Sequence, residues 1–574
     1  MNLSQKRILL FGVALACLCS LQLVAQDLAS IGKENPFSVS GGISANQIFY
    51  KASGIDSRRD PYSYYVSGNV NFGLYGWSVP LSFSYSNQNF SYQQPFNQYS
   101  LHPTYKWITG HVGYTSMTFS PYTLSGHVFL GVGIDATPTG KLKISAMYGR
   151  LRRAVELDTL TERNEPSYER RGYGFKVNYG DGRRFIELTT FRAKDDSTSI
   201  GFIPDDYGVK PQENLVFSLG GGMTFFEKLM VKAEWANSAI TRDQRVAENG
   251  GRGIFGSMGG IFTPRISTAY YNAIKSSLSY QGNGYAVGLG YERIDPEYTT
   301  LGAYYFNNDL ENITVNGATA LAGGKVNLSA SVGTQRDNLN GDKITTMRRV
   351  VSALNVGFVP NEKLNLSTSY SNFQTYTNVR SQFVTINQVT PYDNLDTLNF
   401  TQITQNLTLT GNYLLPSTEQ KKRSISANLS IMKAADKQVQ VEQNSGSTFY
   451  NINTAYSLSI VPSNLTLSAS FNYSLNEAAG MKSSTMGPSL TASKALFDKK
   501  MRVTGSCSAN NTYVDGTTTS RVMTIRANTG YTIKQKHSLS LNLVALTRTQ
   551  KSEAGSKGFK EFTGTLGYNY SFGN

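Results

Sequence analysis

The chain contains 574 residues, of which 40% are hydrophobic and only 16% are charged, and its formal net charge is +15. A mean hydropathy of −0.30 with 35 Tyr and 29 Phe excludes a disordered chain. The absence of a run of about 18 apolar residues after the N-terminus excludes a helical membrane protein. Cys17 and Cys19 lie in the N-terminal leader, which leaves Cys507 without a partner, so the mature chain is predicted to be free of disulfides.

The N-terminus has the organisation of a secretory signal peptide. Lys6 and Arg7 precede an apolar stretch from Ile8 to Val24, and small or aliphatic residues stand before Ala25. Cleavage after Ala25 would remove residues 1–25. The chain is therefore expected to be exported from the cytoplasm.

Cys17 leaves a second interpretation of the leader open. A lipoprotein would be cleaved before Cys17 and anchored through it, but Leu18 and further apolar residues follow, where a lipid-anchored protein normally becomes polar.

After signal-peptide cleavage, residues 26–36 are predicted to form a short periplasmic N-terminal segment.

From Phe37 onward the dominant pattern is strict alternation of apolar and polar residues. Such alternation places one class of side chain on each face of a β-strand. The clearest example has six apolar residues separated by Ser, Thr and Asn: Leu465, Leu467, Ala469, Phe471, Tyr473 and Leu475. The same pattern recurs from Leu142 to Tyr148, from Val326 to Val332, from Ile425 to Ile431 and from Leu539 to Ala545.

The connections between these segments are of two kinds. One set is very short and often contains lysine: Gly140-Lys141, Asp181-Gly182, Glu227-Lys228, Gly324-Lys325, Glu362-Lys363, Pro462-Ser463 and Asp498-Lys499. The other set is longer and polar: Arg152 to Arg170, Asp195 to Glu213, Ile240 to Tyr270 and Gln374 to Phe400. Short periplasmic turns and long extracellular loops are typical of a transmembrane β-barrel.

A soluble β-sandwich or propeller could also use alternating strands. Both normally have regular turns at both ends of their strands, whereas a closed barrel pairs every backbone amide without an edge, as hydrocarbon requires. Aromatic residues near predicted strand ends suit the boundary between lipid and water, although they could also pack a soluble sheet. These residues are Tyr62, Tyr64, Tyr65, Phe90, Tyr92, Tyr304, Tyr305 and Phe306.

Counting the alternating segments predicts an all-β fold, a single large antiparallel transmembrane β-barrel of about 26 strands over residues 37–574, within a range of 20 to 26. The predicted strands begin near residues 37, 62, 79, 99, 111, 124, 141, 170, 183, 214, 229, 272, 284, 311, 325, 346, 363, 401, 423, 447, 464, 486, 500, 519, 537 and 559. The count is even, so both chain ends are expected on the periplasmic side, with the long loops outside.

The last strand carries a family resemblance. Its residues Thr565-Leu566-Gly567-Tyr568-Asn569-Tyr570-Ser571-Phe572 resemble the terminal signal of Gram-negative outer-membrane β-barrel proteins, with Gly573 and Asn574 added after the usual final aromatic residue. The resemblance implies location in the cell outer membrane, contact with its lipid and lipopolysaccharide, and recognition of Thr565, Gly567, Tyr570 and Phe572 by the barrel-assembly machinery.

A barrel near 26 strands needs an obstruction, since barrels near 22 strands are normally plugged. The first predicted strand begins soon after the cleavage site, so we expect no N-terminal plug domain; loops, lumen side chains or a separate plug or lipoprotein partner would have to obstruct the pore. The segment Ile240 to Tyr270 is one candidate, and Gln374 to Phe400 is another. A lumen-plugging role is predicted for Gly251, Gly253, Phe255 and Gly256, with a solvent-exposed loop as the alternative.

Basic residues are spread along the chain in small clusters. They could contact lipopolysaccharide phosphates or favour anionic solutes in the lumen, or they could be dispersed solvated charges. Nucleic-acid binding is not expected, because no single dense basic stripe exists. The clusters are Arg150-Arg152-Arg153, Arg170-Arg171, Arg183-Arg184, Arg348-Arg349 and Lys421-Lys422-Arg423.

Motifs for chemistry are weak. The match to GxGxxG at Gly251 to Gly256 is interpreted as accidental, and Asp337 to Asp342 as a tight turn and not a calcium loop. His111 or His127 with Ser116 or Ser125 could form a barrel hydrolase, but no spacing distinguishes them from a polar lumen. We therefore predict no enzymatic activity, no cofactor and no metal site.

The functional prediction is a porin-like channel or translocation-type pore whose opening is controlled by loops or by a partner protein. The first alternative is a non-conducting scaffold that anchors a surface or periplasmic complex. The second alternative is the outer-membrane hydrolase.

Overall fold

A computed structural model describes residues 37–87, 97–157, 166–204, 207–250, 261–343, 346, 348–373, 375–377, 401–434, 446–478, 480–552 and 555–573. The predicted signal peptide, the N-terminal segment 26–36 and the glycine-rich residues 251–256 lie outside these ranges. No helix within the described ranges has the length and apolar character needed to cross a membrane.

One antiparallel sheet contains all the strands. Its first half consists of β1 (Phe37–Ser53), β2 (Tyr62–Leu74), β3 (Trp77–Ser86), β4 (Gln98–Leu101), β5 (Thr104–Tyr105), β6 (Ile108–Thr118), β7 (Ser125–Ala136), β8 (Leu142–Arg152), β9 (Glu169–Gly180), β10 (Arg184–Asp196), β11 (Glu213–Phe225), β12 (Leu229–Thr241), β13 (Thr268–Gln281) and β14 (Tyr285–Ile294). Its second half consists of β15 (Leu310–Leu321), β16 (Val326–Arg336), β17 (Arg348–Asn361), β18 (Leu364–Ser371), β19 (Thr375–Thr377), β20 (Thr401–Leu414), β21 (Lys421–Ala434), β22 (Ser447–Ile460), β23 (Leu465–Ala478), β24 (Met481–Leu496), β25 (Met501–Val514), β26 (Thr517–Ile533), β27 (His537–Ser552) and β28 (Gly555–Phe572).

The sheet closes on itself. β28 pairs with β1 from Gly41 opposite Phe572 to Ser53 opposite Lys560. β4 and β5 share one position between β3 and β6, and β18 and β19 both pair with β20, so the 28 segments make a wall of 26 strands. The predicted closed antiparallel barrel and its strand number are confirmed.

The two ends of the barrel differ. At one end every connection is short, and one of them contains a single turn of 3-10 helix, Ala322–Gly324. At the other end the connections are longer, except that the last three, at positions 479–480, 515–516 and 553–554, contain two residues each. Asp515 and Gly516 both have positive φ, 47° and 82°, which matches the twist of a tight hairpin. The short-turn end corresponds to the periplasmic side of an outer-membrane barrel.

Candidate functional site: the barrel lumen

The two faces of the wall differ in chemistry, because residues two apart along a strand share a face. On β14, Leu289 is 52% exposed and its neighbours Tyr285 and Val287 are exposed as well. The opposite face of the same strand carries Glu292, which forms an ion pair of 3.5 Å with Lys275 of β13. The apolar face suits lipid, and the polar face encloses the lumen. The chain is therefore a β-barrel of the outer membrane.

Two loops from the long-loop end fold inward and join each other. Residues 119–124 follow β6 and residues 295–309 follow β14; together we name them the inner plug. Leu124 and Gly302 form an isolated parallel β-bridge, and the Thr300 hydroxyl donates a hydrogen bond of 2.6 Å to the carbonyl oxygen of Thr123. The two loops are therefore one packed unit, although they are far apart in the sequence.

The inner plug is tied to the lumen face of the wall by hydrogen bonds. The Ser120 hydroxyl donates to Glu234 of β12 at 2.5 Å, and the Tyr122 hydroxyl donates to Glu292 of β14 at 2.5 Å. The Ser238 hydroxyl donates to the carbonyl oxygen of Thr299 at 2.7 Å. Hydrogen bonds to charged groups are each worth about 1.5–3 kcal/mol, so the plug is held at several points of the wall.

Apolar packing completes the attachment. Phe119 and Leu124 of the plug pack with Phe129, Leu151 and Phe191 of the wall, and all five are buried. Burying a side chain of this size contributes about 1.5–3 kcal/mol. This cluster is a hydrophobic core inside the lumen.

Glycines of the wall and plug make room for these large side chains. A Cβ atom at Gly174 of β9 would lie 2.6 Å from Cε2 of Phe119, and one at Gly302 would lie 2.7 Å from Cε1 of Phe191. Real Cβ atoms do not approach so closely, because interiors are packed near the density of organic crystals. The glycines therefore determine where the plug can sit.

The glycine-rich segment predicted to plug the lumen follows a different course where the structure describes it. Gly251, Gly253, Phe255 and Gly256 lie outside the described residues. The neighbouring Phe262 is buried against Leu215 and Ala239, which share a strand face with the exposed Leu219 and so lie on the outer side of the wall. The described part of the Ile240 to Tyr270 segment thus packs at the outer rim, and the role of the four residues stays a prediction.

The two histidines considered for hydrolysis have other partners. His111 Nδ1 lies 2.9 Å from His102 Nδ1, and His111 Nε2 lies 2.9 Å from Asp135 Oδ2. The Ser145 hydroxyl donates to the other oxygen of Asp135 and not to an imidazole. Within the described part of the chain, neither His111 nor His127 is hydrogen bonded to a serine.

His127 contributes to the plug environment instead. Its Nδ1 lies 2.8 Å from the carbonyl oxygen of Val128, and its ring stacks on Tyr304 with the centroids 4.1 Å apart. No group of three or more His, Cys, Asp or Glu residues is placed to hold a metal ion in the described ranges. Asp337 to Asp342 contains the predicted turn, with Gly341 N donating to the carbonyl oxygen of Asn338 at 3.2 Å.

The basic clusters of the sequence divide between the two faces. Arg170 makes two hydrogen bonds, of 2.7 and 2.9 Å, to the buried carboxylate of Asp195 on the lumen side, and Arg152 contacts the same group at 3.3 Å. Arg171 points the other way and pairs with Glu169 at 2.7 Å. Adjacent residues of a strand face opposite sides, so the sequence clusters are not single charged patches.

Near the rim, the outer face of β8 to β11 carries a group of paired charges. Arg150 and Arg171 contact Glu169 at 3.8 and 2.7 Å. Arg192 contacts Glu213 at 2.6 Å and lies over the ring of Tyr173, 5.7 Å from its centroid. We name these six residues the outer-face cationic cluster; their three arginines exceed their two carboxylates.

The lumen face of β20 to β27 has a different character. Most residues of this face are Ser, Thr or Asn, with Val522 and Val544 among the exceptions, and these polar residues hydrogen bond across neighbouring strands. Thr504 donates to Ser493 at 2.9 Å, and the hydroxyls of Thr485 and Thr512 lie 3.0 Å apart. We name this surface the hydroxyl-rich wall, and its central residues are Thr408, Thr410, Asn428, Ser430, Asn451, Asn453, Ser468, Ser470, Asn472, Ser489, Thr491, Ser506, Ser508, Asn510, Thr524, Asn528, Ser540 and Asn542.

The four residues of the predicted insertion signal lie on both faces of β28. Tyr570 and Phe572 are on the lipid side at the short-turn end, where Tyr570 stacks with His537 at 4.8 Å between ring centroids. Thr565 and Gly567 face the lumen at the closing seam. A Cβ atom at Gly567 would lie 2.7 Å from Asn46 Oδ1 of β1, so this glycine also allows the seam to close.

The similarity of this chain to known proteins is distant. No family model and no curated protein matches this chain. The P pilus usher PapC translocation pore is 11% identical with a TM-score of 0.37, over 93% of this chain and 99% of that one. The ferric enterobactin receptor PfeA in complex with BCV-L6 is 10% identical with a TM-score of 0.42, over 93% and 81%. The anion-selective porin from Comamonas acidovorans is 12% identical with a TM-score of 0.27, over 53% and 93%.

Proposed function

We propose that this barrel is a non-enzymatic channel or translocation-type pore of the outer membrane whose lumen is narrowed, and controlled, by the inner plug. The observation that carries the proposal is the attachment of residues 119–124 to lumen-facing Glu234 and Glu292 and of residues 295–309 to lumen-facing Asn214 and Ser238. A barrel used only as an anchor needs no ordered obstruction inside its wall. An open pathway across a membrane does.

The plug occupies one side of a large lumen. Its contacts are with strands β7 to β15, whereas barrels of 16–18 strands already enclose an aqueous channel. Two loops of this size are too small to fill a 26-stranded barrel. The described residues leave the remaining cross-section to a solute or a polymer chain, with a partner protein as a further means of control.

The test is conductance in planar lipid bilayers. Purified wild-type protein is compared with a variant in which residues 296–308 are replaced by a short Gly-Ser linker, with folding checked by heat-modifiable migration in gels. We expect measurable conductance from the wild type and larger unitary steps from the variant. Absence of conductance from both folded proteins, together with a stably co-purifying partner, would overturn the proposal in favour of the scaffold function.

We also propose that the outer-face cationic cluster contacts phosphate groups of lipopolysaccharide. Its arginines lie on the lipid side near the long-loop end, and the planar guanidinium group suits bidentate contact with phosphate. Arg171 is the most accessible of them, with its side chain 60% exposed. Co-purification of labelled lipopolysaccharide with Arg171→Gln and with the short-turn control Arg183→Gln tests this: a loss is expected for the first variant alone, and equal retention would contradict the contact.

A further inference from the structure

The charged groups of the lumen are unevenly distributed around the wall. On the plug side, the lumen face carries Lys176 paired with Glu187 at 3.0 Å and Lys275 paired with Glu292 at 3.5 Å. On the opposite side, the central band of the hydroxyl-rich wall carries one charged residue, Arg526, among the described residues. Lys422 and Arg502 lie near the short turns and Arg548 near the opposite rim.

We propose that the hydroxyl-rich wall is the permeation surface and that it accepts uncharged, hydrogen-bonding solutes of the oligosaccharide class. The inference rests on the proposed pore function and adds its path and substrate class. The apolar core of the plug closes the charged side, so a solute passing the plug meets the wall of β20 to β27.

The chemistry of this surface matches a neutral, hydroxylated ligand. Each Ser or Thr hydroxyl offers one donor and two acceptor positions, and each Asn side chain offers donors and acceptors as well. Cross-strand bonds such as Ser468 to Ser457, at 3.2 Å, use only part of this capacity. Asn472, Asn510 and Thr524 are almost fully buried, so contact with a solute falls to half-buried members such as Ser468, Ser470 and Thr491. Their hydroxyls can exchange hydrogen bonds with sugar hydroxyls without the cost of removing an ion from water.

The overall basic charge does not make this path selective for anions. Exposed charges separated by more than about 10 Å are largely screened at 0.1 M salt. Most of the arginines and lysines named above lie on the outer face, on the plug side in ion pairs, or at the barrel ends. Arg526 is the one central charge on the path, so it should produce a weak preference for anions.

Ion selectivity in planar bilayers locates the path. We expect a weak anion preference for the wild type and loss of this preference in Arg526→Gln. In Ser470→Asp the ratio of cation to anion permeability should rise by about twofold or more, because a lumen carboxylate attracts cations. Lys232→Gln is the matched control, since Lys232 is a lumen-facing cation on the plug side. It should leave selectivity unchanged.

Block of the ion current by a linear glucose oligomer tests the substrate class. We expect a concentration-dependent decrease of current that is weakened in the double variant Ser468→Ala and Ser470→Ala, and that is unchanged in Ser277→Ala on the plug side. An anionic oligomer of equal length, oligogalacturonate, should block less strongly than the neutral glucan.

The outcomes separate the two proposals. Conductance with strong anion selectivity, with selectivity that responds to Lys232→Gln but not to Ser470→Asp, or with stronger block by the anionic oligomer, would overturn the neutral path while the pore function stands. No conductance from either the wild type or the plug-deleted protein would overturn both.

Discussion

The hydroxyl group of Tyr298 donates a hydrogen bond of 2.8 Å to the backbone carbonyl oxygen of Tyr122. The bond joins two loops that are 176 residues apart, and both tyrosine side chains are almost fully buried. The Tyr122 hydroxyl in turn donates to Glu292 on the wall. A chain of contacts thus runs from one plug loop through the other to the lumen face of the barrel.

Tyr298→Phe should loosen the plug without removing its aromatic packing. The substitution leaves the buried Tyr122 carbonyl without this donor and costs about 1–3 kcal/mol. We expect more frequent transitions to a larger conductance in single-channel recordings. Tyr179→Phe, at an exposed position on the outer face, is the control, and an identical recording from the two variants would contradict a latch role for Tyr298.

Gly302→Ala should displace the plug more strongly. The added Cβ would lie 2.5 Å from the carbonyl oxygen of Thr123 and 2.7 Å from the ring of Phe191. Overpacking of this kind costs about 1–3 kcal/mol, and the loop can relieve it by leaving the wall. Limited proteolysis should cleave residues 295–309 faster in this variant.

Gly505→Ala is the matched control for that experiment. A Cβ atom at Gly505 meets nothing within 4 Å. We expect wild-type cleavage rates and conductance from it. Equal protection of the 295–309 loop in both alanine variants would show that close packing at Gly302 does not position the plug.

The strands could be predicted from the sequence because lipid imposes alternation on every one of them. Predicted strand starts fall within five residues of the observed ones, the largest difference being at β24, predicted near 486 and observed from Met481. The first residues of β24 are mostly polar on both faces, since they extend above the apolar band. Apolar and polar residues do not alternate there, so the sequence predicts the start of this strand too late.

The plug could not be predicted in the same way, because it depends on contacts between distant segments. The prediction of a lumen-plugging role for the glycine-rich residues 251–256 stays a prediction, because they lie outside the described residues. Tyr122, Leu124 and Tyr298 belong to loops without a glycine-rich composition. A usable signal was the presence of large apolar residues in connections that should face water. Gly174, on the lumen face of β9, leaves the space that Phe119 occupies. This role can be recognised only once the fold is known.

Acid should weaken the plug's attachment at the rim. The hydrogen bond from Tyr271, at 2.6 Å, and the contact with Arg242, at 2.5 Å, hold the pKa of Glu297 below its ordinary value of 4.5. A carboxyl group with a lowered pKa stabilises the folded arrangement above its unfolded pKa, and this contribution is lost as the pH falls through the folded value. Conductance should therefore be constant from pH 8 to pH 5 and should rise as the pH falls below the ordinary pKa of 4.5.

The variant Glu297→Gln separates the contribution of Glu297 to the acid response from that of the other carboxylates. The amide cannot lose a charge on acidification, so the rise in conductance in acid should be smaller than in the wild type. Glu362→Gln, in a short turn at the opposite end, should retain the full wild-type response. An acid response of equal size in all three proteins would assign the effect to other groups.

The lipid-facing side chains of β28 are expected to serve barrel assembly, whereas its pairing with β1 closes the barrel. Tyr570 and Phe572 lie on the lipid side with their ring centroids 5.5 Å apart, where an assembly factor could contact them before the barrel closes. Tyr570→Ala with Phe572→Ala should sharply lower the amount of heat-modifiable barrel in outer-membrane fractions and leave precursor in the periplasm. Asn569→Ala with Ser571→Ala changes the lumen side of the same strand and should assemble normally, because these positions face water. If both double variants assemble equally well, the aromatic pair is not the recognised feature; if both fail, the strand's pairing with β1 and not its lipid-facing side chains limits assembly.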